Sequence, residues 1–230
     1  IAACMPVHIF GHLARMPEIM DICAEWNIQV IEDAAESLGS FLDGKHSGTF
    51  GRVGTLSFNG NKVTTTGGGG MIITNDVQLA FLARHISTTA KKPHPWAFEH
   101  DMVGYNYRMP NVNAAIGCAQ MEKLPEFLAD KQVTAGLYQK FFKELGFQPL
   151  TARKGTDCNY WLNGFYAADR AERDAFLALA RESGIQARPV WTLMPHLPMY
   201  SHCTCGPYPN AQWVEDRLVN VPSSVRLAGS

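Results

Sequence analysis

At the start of the chain the apolar positions come in three blocks of different period. Cys4 to Phe10 is a short, mostly apolar run that stops at Gly11, which predicts a buried strand. Met16, Ile19, Met20, Cys23 and Trp26 then recur at spacings of three and four and predict a helix with one apolar stripe. Ile28-Gln29-Val30-Ile31 reads as a second buried strand, closed by Glu32-Asp33. Strand, helix and strand in this order predict a βαβ unit with parallel pairing.

Residues 37–54 are rich in glycine and polar side chains and hold a turn signal, Asp43-Gly44. Short strands are expected at Thr55 to Phe58 and Met71 to Thr74, joined by a loop from Asn59 to Gly70. A helix follows over Gln78 to Ile86, then a loop from Lys91 to Asp101. Asn111 to Glu122 predicts one helix. A separate helix should begin near Pro125, a residue suited to a first turn, and end at Gly146. Beyond it lie an aromatic strand (Trp161 to Tyr166), a helix (Arg173 to Ser183) and strands at Gln186 to Val190 and Val219 to Val221. The expected class is α/β: residues 1–146 form part of a large domain around a mostly parallel sheet, and residues 147–230 form a small α+β domain.

Of 230 residues, 46% are apolar and 18% charged, the composition of a globular protein with a sizeable core. A net charge of −1 gives no basic stripe for nucleic acid or anionic lipid, so recognition is expected inside a pocket. No apolar run approaches the ~20 residues that span a bilayer. The chain opens at Ile1-Ala2-Ala3-Cys4, without Met and without the basic start of a signal peptide, which reads as a chain whose upstream part is missing. Of the six cysteines, four sit singly in apolar stretches and read as core residues. Cys203-Thr204-Cys205, after His202 and near His196, departs from the spacing of a zinc site, so no metal is expected.

Three segments carry candidate chemistry. Ile31-Glu32-Asp33-Ala34-Ala35-Glu36 puts carboxylates at the C-terminal end of a strand, where parallel sheets bind ligands; the plainer reading of Asp33 is a helix N-cap. Lys62 sits alone in a hydroxyl- and glycine-rich loop between two strands. Lysine is nucleophilic only as the neutral amine, which such a loop could favour by burial; a solvent-exposed lysine on a surface loop fits as well. The order of a Walker loop is absent. Gly104-Tyr105-Asn106-Tyr107-Arg108-Met109-Pro110 offers Asn and Arg to an anion, or a structural arginine to nearby carbonyls.

Taken in order, Val7-His8-Ile9-Phe10-Gly11-His12, Glu32-Asp33-Ala34-Ala35, Leu56-Ser57-Phe58 with Lys62 five positions after the serine, Thr65-Thr66-Gly67 and Gly104 to Met109 resemble the DegT/DnrJ/EryC/StrS family of sugar aminotransferases, which are fold-type I enzymes dependent on pyridoxal 5′-phosphate (PLP). The resemblance runs from Pro6 to Pro222. It implies that Lys62 is the Schiff-base lysine, that Asp33 pairs with the pyridine nitrogen, and that Ser57 binds the cofactor phosphate. It implies that Asn106 reaches the cofactor of a neighbouring subunit in a homodimer, with Arg108 in the same segment. Many relatives carry Gln or His where this chain has Glu36, close to the ring oxygen of the cofactor; a charged Glu36 would be unfavourable there, so it is either protonated or turned elsewhere.

The same resemblance implies an N-terminally truncated chain, since the family has a long segment ahead of this stretch. It implies a cytoplasmic enzyme that converts a nucleotide-linked keto sugar, of the 4-keto-6-deoxy type, to an amino sugar, with glutamate as donor. Arg188, Trp191 and His196 lie where the family reads the sugar, and the ending Asn220-Val221-Pro222-Ser223-Ser224 looks like the branch that makes amino sugars of the legionaminic or bacillosamine type. A non-catalytic or inactive fragment on the same scaffold and a PLP-dependent sugar dehydrase are the alternatives. Known dehydrases of the family carry histidine in place of the lysine.

Overall fold

A computed structural model describes residues 1–226. Its elements in chain order are β1 (Ala3–Cys4), α1 (Met16–Glu25), β2 (Gln29–Asp33), β3 (Phe41–Leu42), β4 (Lys45–His46), β5 (Val53–Ser57), β6 (Gly70–Ile73), α2 (Val77–Ser87), α3 (Asn111–Glu144), β7 (Gln148–Pro149), β8 (Thr156–Asp157), β9 (Asn163–Tyr166), α4 (Arg170–Glu182), β10 (Arg188–Pro189), α5 (Pro209–Arg217) and β11 (Leu218–Val221). They form two compact units, residues 1–128 with 153–161, and residues 129–152 with 162–230. The units therefore divide inside α3, and a return segment joins the first unit, where the sequence suggested one break at 146/147.

In the first unit a sheet runs β1-β2-β5-β6. β1 and β2 are parallel, as are β2 and β5, while β6 closes the sheet antiparallel to β5. The βαβ expectation holds: Met16, Ile19, Met20 and Cys23 of the α1 stripe pack on Val30, Cys4 and Ile28, while Trp26, predicted with them, lies past the helix end and is exposed. The first strand is shorter than the apolar run from Cys4 to Phe10. Past Pro6 the chain keeps one further parallel bridge to β2, Val7 to Asp33, and then enters a 3₁₀ turn at Ile9–Gly11. The Asp43-Gly44 signal becomes the tip of the β3–β4 hairpin. Both residues have positive φ (48° and 78°), as the two-residue turn that matches strand twist requires. β8 of the return segment pairs with β3.

α3 corrects the expectation of two helices. It is continuous across Pro125. The ring removes one backbone hydrogen bond, but Leu124, Phe127 and Leu128 on either side are all partly buried, and their packing carries the helix through.

The second unit holds an antiparallel sheet, β10-β11-β9-β7. Its core is Phe142, Phe165, Val219 and Val221, with the Phe142 and Phe165 rings stacked at 4.3 Å. α4 begins at a reciprocal cap: Asp169 accepts from the Glu172 N–H at 2.9 Å, and Glu172 accepts from the Ala168 N–H at 2.6 Å. α5 was not foreseen. It starts on Pro209 and carries the buried Glu215.

Candidate active site

The C-terminal end of β2 presents its two carboxylates to opposite sides, as strand alternation demands. Glu32 is fully buried beside His8. Its Oε1 accepts from the N–H groups of Phe50 (2.5 Å) and Gly51 (2.6 Å), and its Oε2 from the Gly48 N–H (2.8 Å) and His8 Nε2 (2.9 Å). His8 Nδ1 accepts from the Ala14 N–H at 3.1 Å, which leaves the ring hydrogen on Nε2. Gly51 is needed for this approach, because a Cβ there would lie 2.5 Å from the Val30 oxygen. Burial alone would push the Glu32 carboxyl up. The His8 hydrogen bond and the Gly51 and Gly48 amides outweigh it and hold the group below the ordinary carboxylate range.

Asp33 lies on the other face and is only partly buried. Its backbone is tied to residues 6–8, donating to the Pro6 oxygen (2.9 Å) and accepting from the His8 N–H (3.0 Å). Oδ1 accepts from the Ala35 N–H at 3.1 Å, an Asx turn rather than a helix cap, since no helix follows. Oδ2 makes no hydrogen bond among the described residues.

Lys62 stands in the loop between β5 and β6. That loop is closed at its base: the Phe58 N–H bonds to the Gly69 oxygen (2.9 Å), and the Thr66 N–H and Thr65 hydroxyl bond to the Phe58 oxygen (3.0 and 3.1 Å). The Lys62 side chain is 14% exposed. Its Nζ sits 4.1 Å above the Trp161 ring and 3.6 Å from Glu36 Oε1. Trp161 is fixed by its indole N–H, which donates to the Asn61 oxygen at 2.6 Å. Glu36 Oε2 accepts from the Phe10 N–H at 2.7 Å, with Phe10 itself at φ 59°. Glu36 is thus turned to Phe10 and Lys62. The Glu36 backbone oxygen accepts from Asn159 Nδ2 at 2.8 Å. Asn159 also packs against Gly11 so closely that a Cβ there would lie 1.8 Å from its Oδ1.

The structure therefore gathers Asp33, Glu36 and Lys62, and adds Trp161, Phe10 and Asn159. Sequence reading placed Trp161 in a strand; no local pattern announces a ring that meets a lysine about a hundred positions away. Ser57 ends β5, and its Oγ accepts from the Asn59 N–H at 3.4 Å at the start of the Lys62 loop. Asn106 is exposed in a single bridge to Thr88. Arg108 lines an open cleft with Thr55, Ile72 and Arg84, which neither Lys62 nor Asp33 lines. Arg188, Trp191 and His196 belong to the second unit. Arg188 is on the edge strand β10, Trp191 is half exposed, and His196 Nδ1 lies 3.0 Å from the buried Glu215.

These residues suit PLP. They offer an amine paired with a carboxylate beyond hydrogen-bond length, a carboxylate oxygen with free lone pairs for a cationic ring nitrogen, and a serine hydroxyl for a phosphate. A Cβ added at Gly60 or Gly68 would meet only open space.

Near the site, His12 packs edge-on to Tyr160 at 5.6 Å, with Nε2 buried and unbonded. Burial lowers its pKa from 6.5 to about 4. Between those values the unfolded chain binds the proton and the folded chain does not, so stability is full above pH 6.5 and falls as pH drops toward 4. At about 1.4 kcal/mol per pH unit the loss is roughly 3 kcal/mol. Urea unfolding at pH 7 and at pH 4.5 should show it, and His12→Phe should flatten that part of the profile. An unchanged slope would remove His12 as its source.

The fold is that of the PLP-dependent sugar aminotransferases of fold-type I. The structure superposes with a TM-score of 0.92 on an aminotransferase, TlmJ, from Streptoalloteichus hindustanus, at 26% identity, covering 99% of this chain and 62% of that one. Helicobacter pylori PseC, an aminotransferase involved in the biosynthesis of pseudoaminic acid, gives 0.93 at 21% identity, a likeness of fold, covering 99% and 63%.

The chain belongs to the DegT/DnrJ/EryC1/StrS aminotransferase family, whose profile matches residues 1–230. It is 38% identical over 226 residues to a GDP-perosamine synthase of Escherichia coli O157:H7, covering 98% of this chain and 61% of that protein. It is 29% identical over 223 residues to a UDP-N-acetyl-3-dehydro-alpha-D-glucosamine 3-aminotransferase of Acidithiobacillus ferrooxidans (strain ATCC 23270 / DSM 14882 / CIP 104768 / NCIMB 8455), covering 96% and 58%. The chain spans about three fifths of the length of these curated relatives. Among the described residues no helix is long and apolar enough to cross a membrane.

Proposed function

We propose that this chain carries the lysine and the ring-nitrogen carboxylate of a PLP-dependent aminotransferase that converts a nucleotide-linked keto sugar, of the 4-keto-6-deoxy type, to an amino sugar with glutamate as donor. The observation that carries the reading is the Lys62 amine over the Trp161 ring and beside Glu36, whose carboxyl also feels the charge of Asp33. The names of the relatives, three of them GDP-perosamine synthases, support the sugar class.

When bound, PLP withdraws electrons from the carbon next to the nitrogen being transferred. Lys62 Nζ, as a neutral amine, takes and returns the proton at that carbon. Asp33 Oδ2 keeps the ring nitrogen protonated by pairing with its charge. The Ser57 hydroxyl donates to the phosphate, and Trp161 shields Nζ from water. In this reading Asn106 serves the cofactor of a second subunit. The exposed Tyr105 and Tyr107 on either side of it in the chain would be covered in that homodimer. Arg108 assists at the same anion, and Arg188, Trp191 and His196 face the sugar. The enzyme works in the cytoplasm, where nucleotide sugars are made.

The test is to add PLP, reduce with borohydride and map the modified peptide by mass spectrometry. A single adduct on Lys62 is expected. An adduct spread over surface lysines such as Lys45 and Lys154, or none at all, would sink the assignment.

A further inference from the structure

We propose that Glu36 is the charge partner and proton acceptor of Lys62: it holds the amine as an ammonium while the site is idle and takes its proton when the lysine must act as a nucleophile. The use of the pair rests on the aminotransferase reading, but its existence does not.

The two oxygens of Glu36 have separate tasks. Oε2 is anchored by the Phe10 N–H at 2.7 Å, and Oε1 faces Lys62 Nζ at 3.6 Å. That separation allows coulombic pairing and exceeds a hydrogen bond, so the amine is held without being locked. Both side chains are 14% exposed, so water screens the pair little. Trp161 closes the other side of Nζ and favours the ammonium through its ring face. The anchor is itself built in: Phe10 takes a left-handed backbone conformation at φ 59°, unusual for a residue with a side chain, and Asn159 holds the Glu36 backbone oxygen.

The charged groups facing Glu36 are Lys62 and Asp33. Burial pushes the Glu36 carboxyl up, the Phe10 N–H and the Lys62 charge oppose this, and the negative charge of Asp33 adds to the rise; the net direction is upward. A carboxyl raised in this way accepts a proton more readily than an exposed one. The step is a proton shift alone. The Lys62 ammonium gives one proton to Glu36 Oε1, which leaves a neutral amine with a free lone pair and a neutral carboxylic acid. The pair stays neutral overall, and no electrons change hands.

The experiment starts with the protein free of cofactor. Lys62 is labelled with an amine acylating reagent across a pH series, with mass spectrometry as readout. Glu36→Gln keeps an oxygen for the Phe10 N–H and should fold. An opposite charge at this range favours the charged form of an amine, which does not react with the reagent. Glu36→Gln should therefore label about tenfold faster than the wild type at neutral pH, and Glu36→Asp, with its charge drawn back, should fall between. In a second arm PLP is added and infrared difference spectra are taken. The wild type should gain a carboxylic-acid carbonyl band that Glu36→Gln lacks.

Identical labelling profiles in wild type and Glu36→Gln would overturn the pairing, and a missing band would overturn the proton transfer. Borohydride trapping separates this proposal from the reading it rests on. A Lys62 adduct with unmoved labelling leaves the aminotransferase standing and the pair wrong. Shifted labelling without an adduct leaves the pair standing and the aminotransferase wrong.

Discussion

Replacing Lys62 with alanine should reduce amino-group transfer by on the order of 10³-fold or more while leaving the fold intact, as judged by an unchanged unfolding midpoint. The size follows from the two roles the residue would lose. In the proposed reading it would be the covalent anchor of the cofactor and the base that moves a proton, a contribution alone worth ~10²–10⁴. The fold should survive because the loop is held at Phe58, Thr65, Thr66 and Gly69 by bonds that do not involve the Lys62 side chain. Steady-state rates of wild type and Lys62→Ala, with thermal unfolding of both, decide the matter. A variant that keeps even a tenth of the rate would end the assignment.

The second large effect is on stability and comes from a residue that touches no cofactor. Glu32→Gln is nearly isosteric, yet it should destabilise the protein by about 3–5 kcal/mol. The amide would put an NH₂ where Oε2 now accepts from both His8 Nε2 and the Gly48 N–H, and the ring cannot turn to help because Nδ1 is already taken by Ala14. Two buried donors then face a third. For a chain of this size the unfolding temperature should fall by roughly 6–20 °C. Glu126→Gln is the control. Its ion pair with Lys123 is exposed on both sides and is worth under about 1 kcal/mol. Equal melting curves for the two variants would mean that the hydrogen bonds around Glu32 do not hold the sheet end. Since the Glu32 carboxyl is held below its usual range, its contribution is present above the ordinary carboxylate pKa and is lost only as pH falls through the lowered one.

Much of this was legible in the chain. The stripe of α1, the Asp43-Gly44 hairpin and the lysine between two short strands follow from periods and turn chemistry that act over a few residues, and the structure keeps all three. What could not be read depends on partners far away. Pro125 looks like a helix start because proline disfavours an interior, but neighbours packed on both sides carry the helix through. Cys4 to Phe10 looks like a strand because apolar residues dominate, but pairing with β2 ends at the Val7 bridge and the chain turns at Ile9–Gly11. Glu32 reads with Asp33 as a carboxylate at the ligand end of the strand, yet it is fully buried. The one clue was its alternation with Val30, two positions earlier on the same face of β2. In the candidate site the sequence pointed to Asp33, Glu36 and Lys62 but gave no sign of Trp161, since its return with residues 153–161 is a property of the topology.

Glu32 and Asp33 are neighbours with opposite addresses, and this gives β2 a way to detect a slip. Moving the strand by one position would exchange the faces of every side chain. Asp33 would then enter the nest of amides from Gly48, Phe50 and Gly51, one methylene too short to reach them all, while Glu32 would project into the ligand side. Only one alignment satisfies the buried donors. The accuracy with which Asp33 is delivered to the site is thus fixed by the residue before it, on the far side of the sheet, before any ligand arrives.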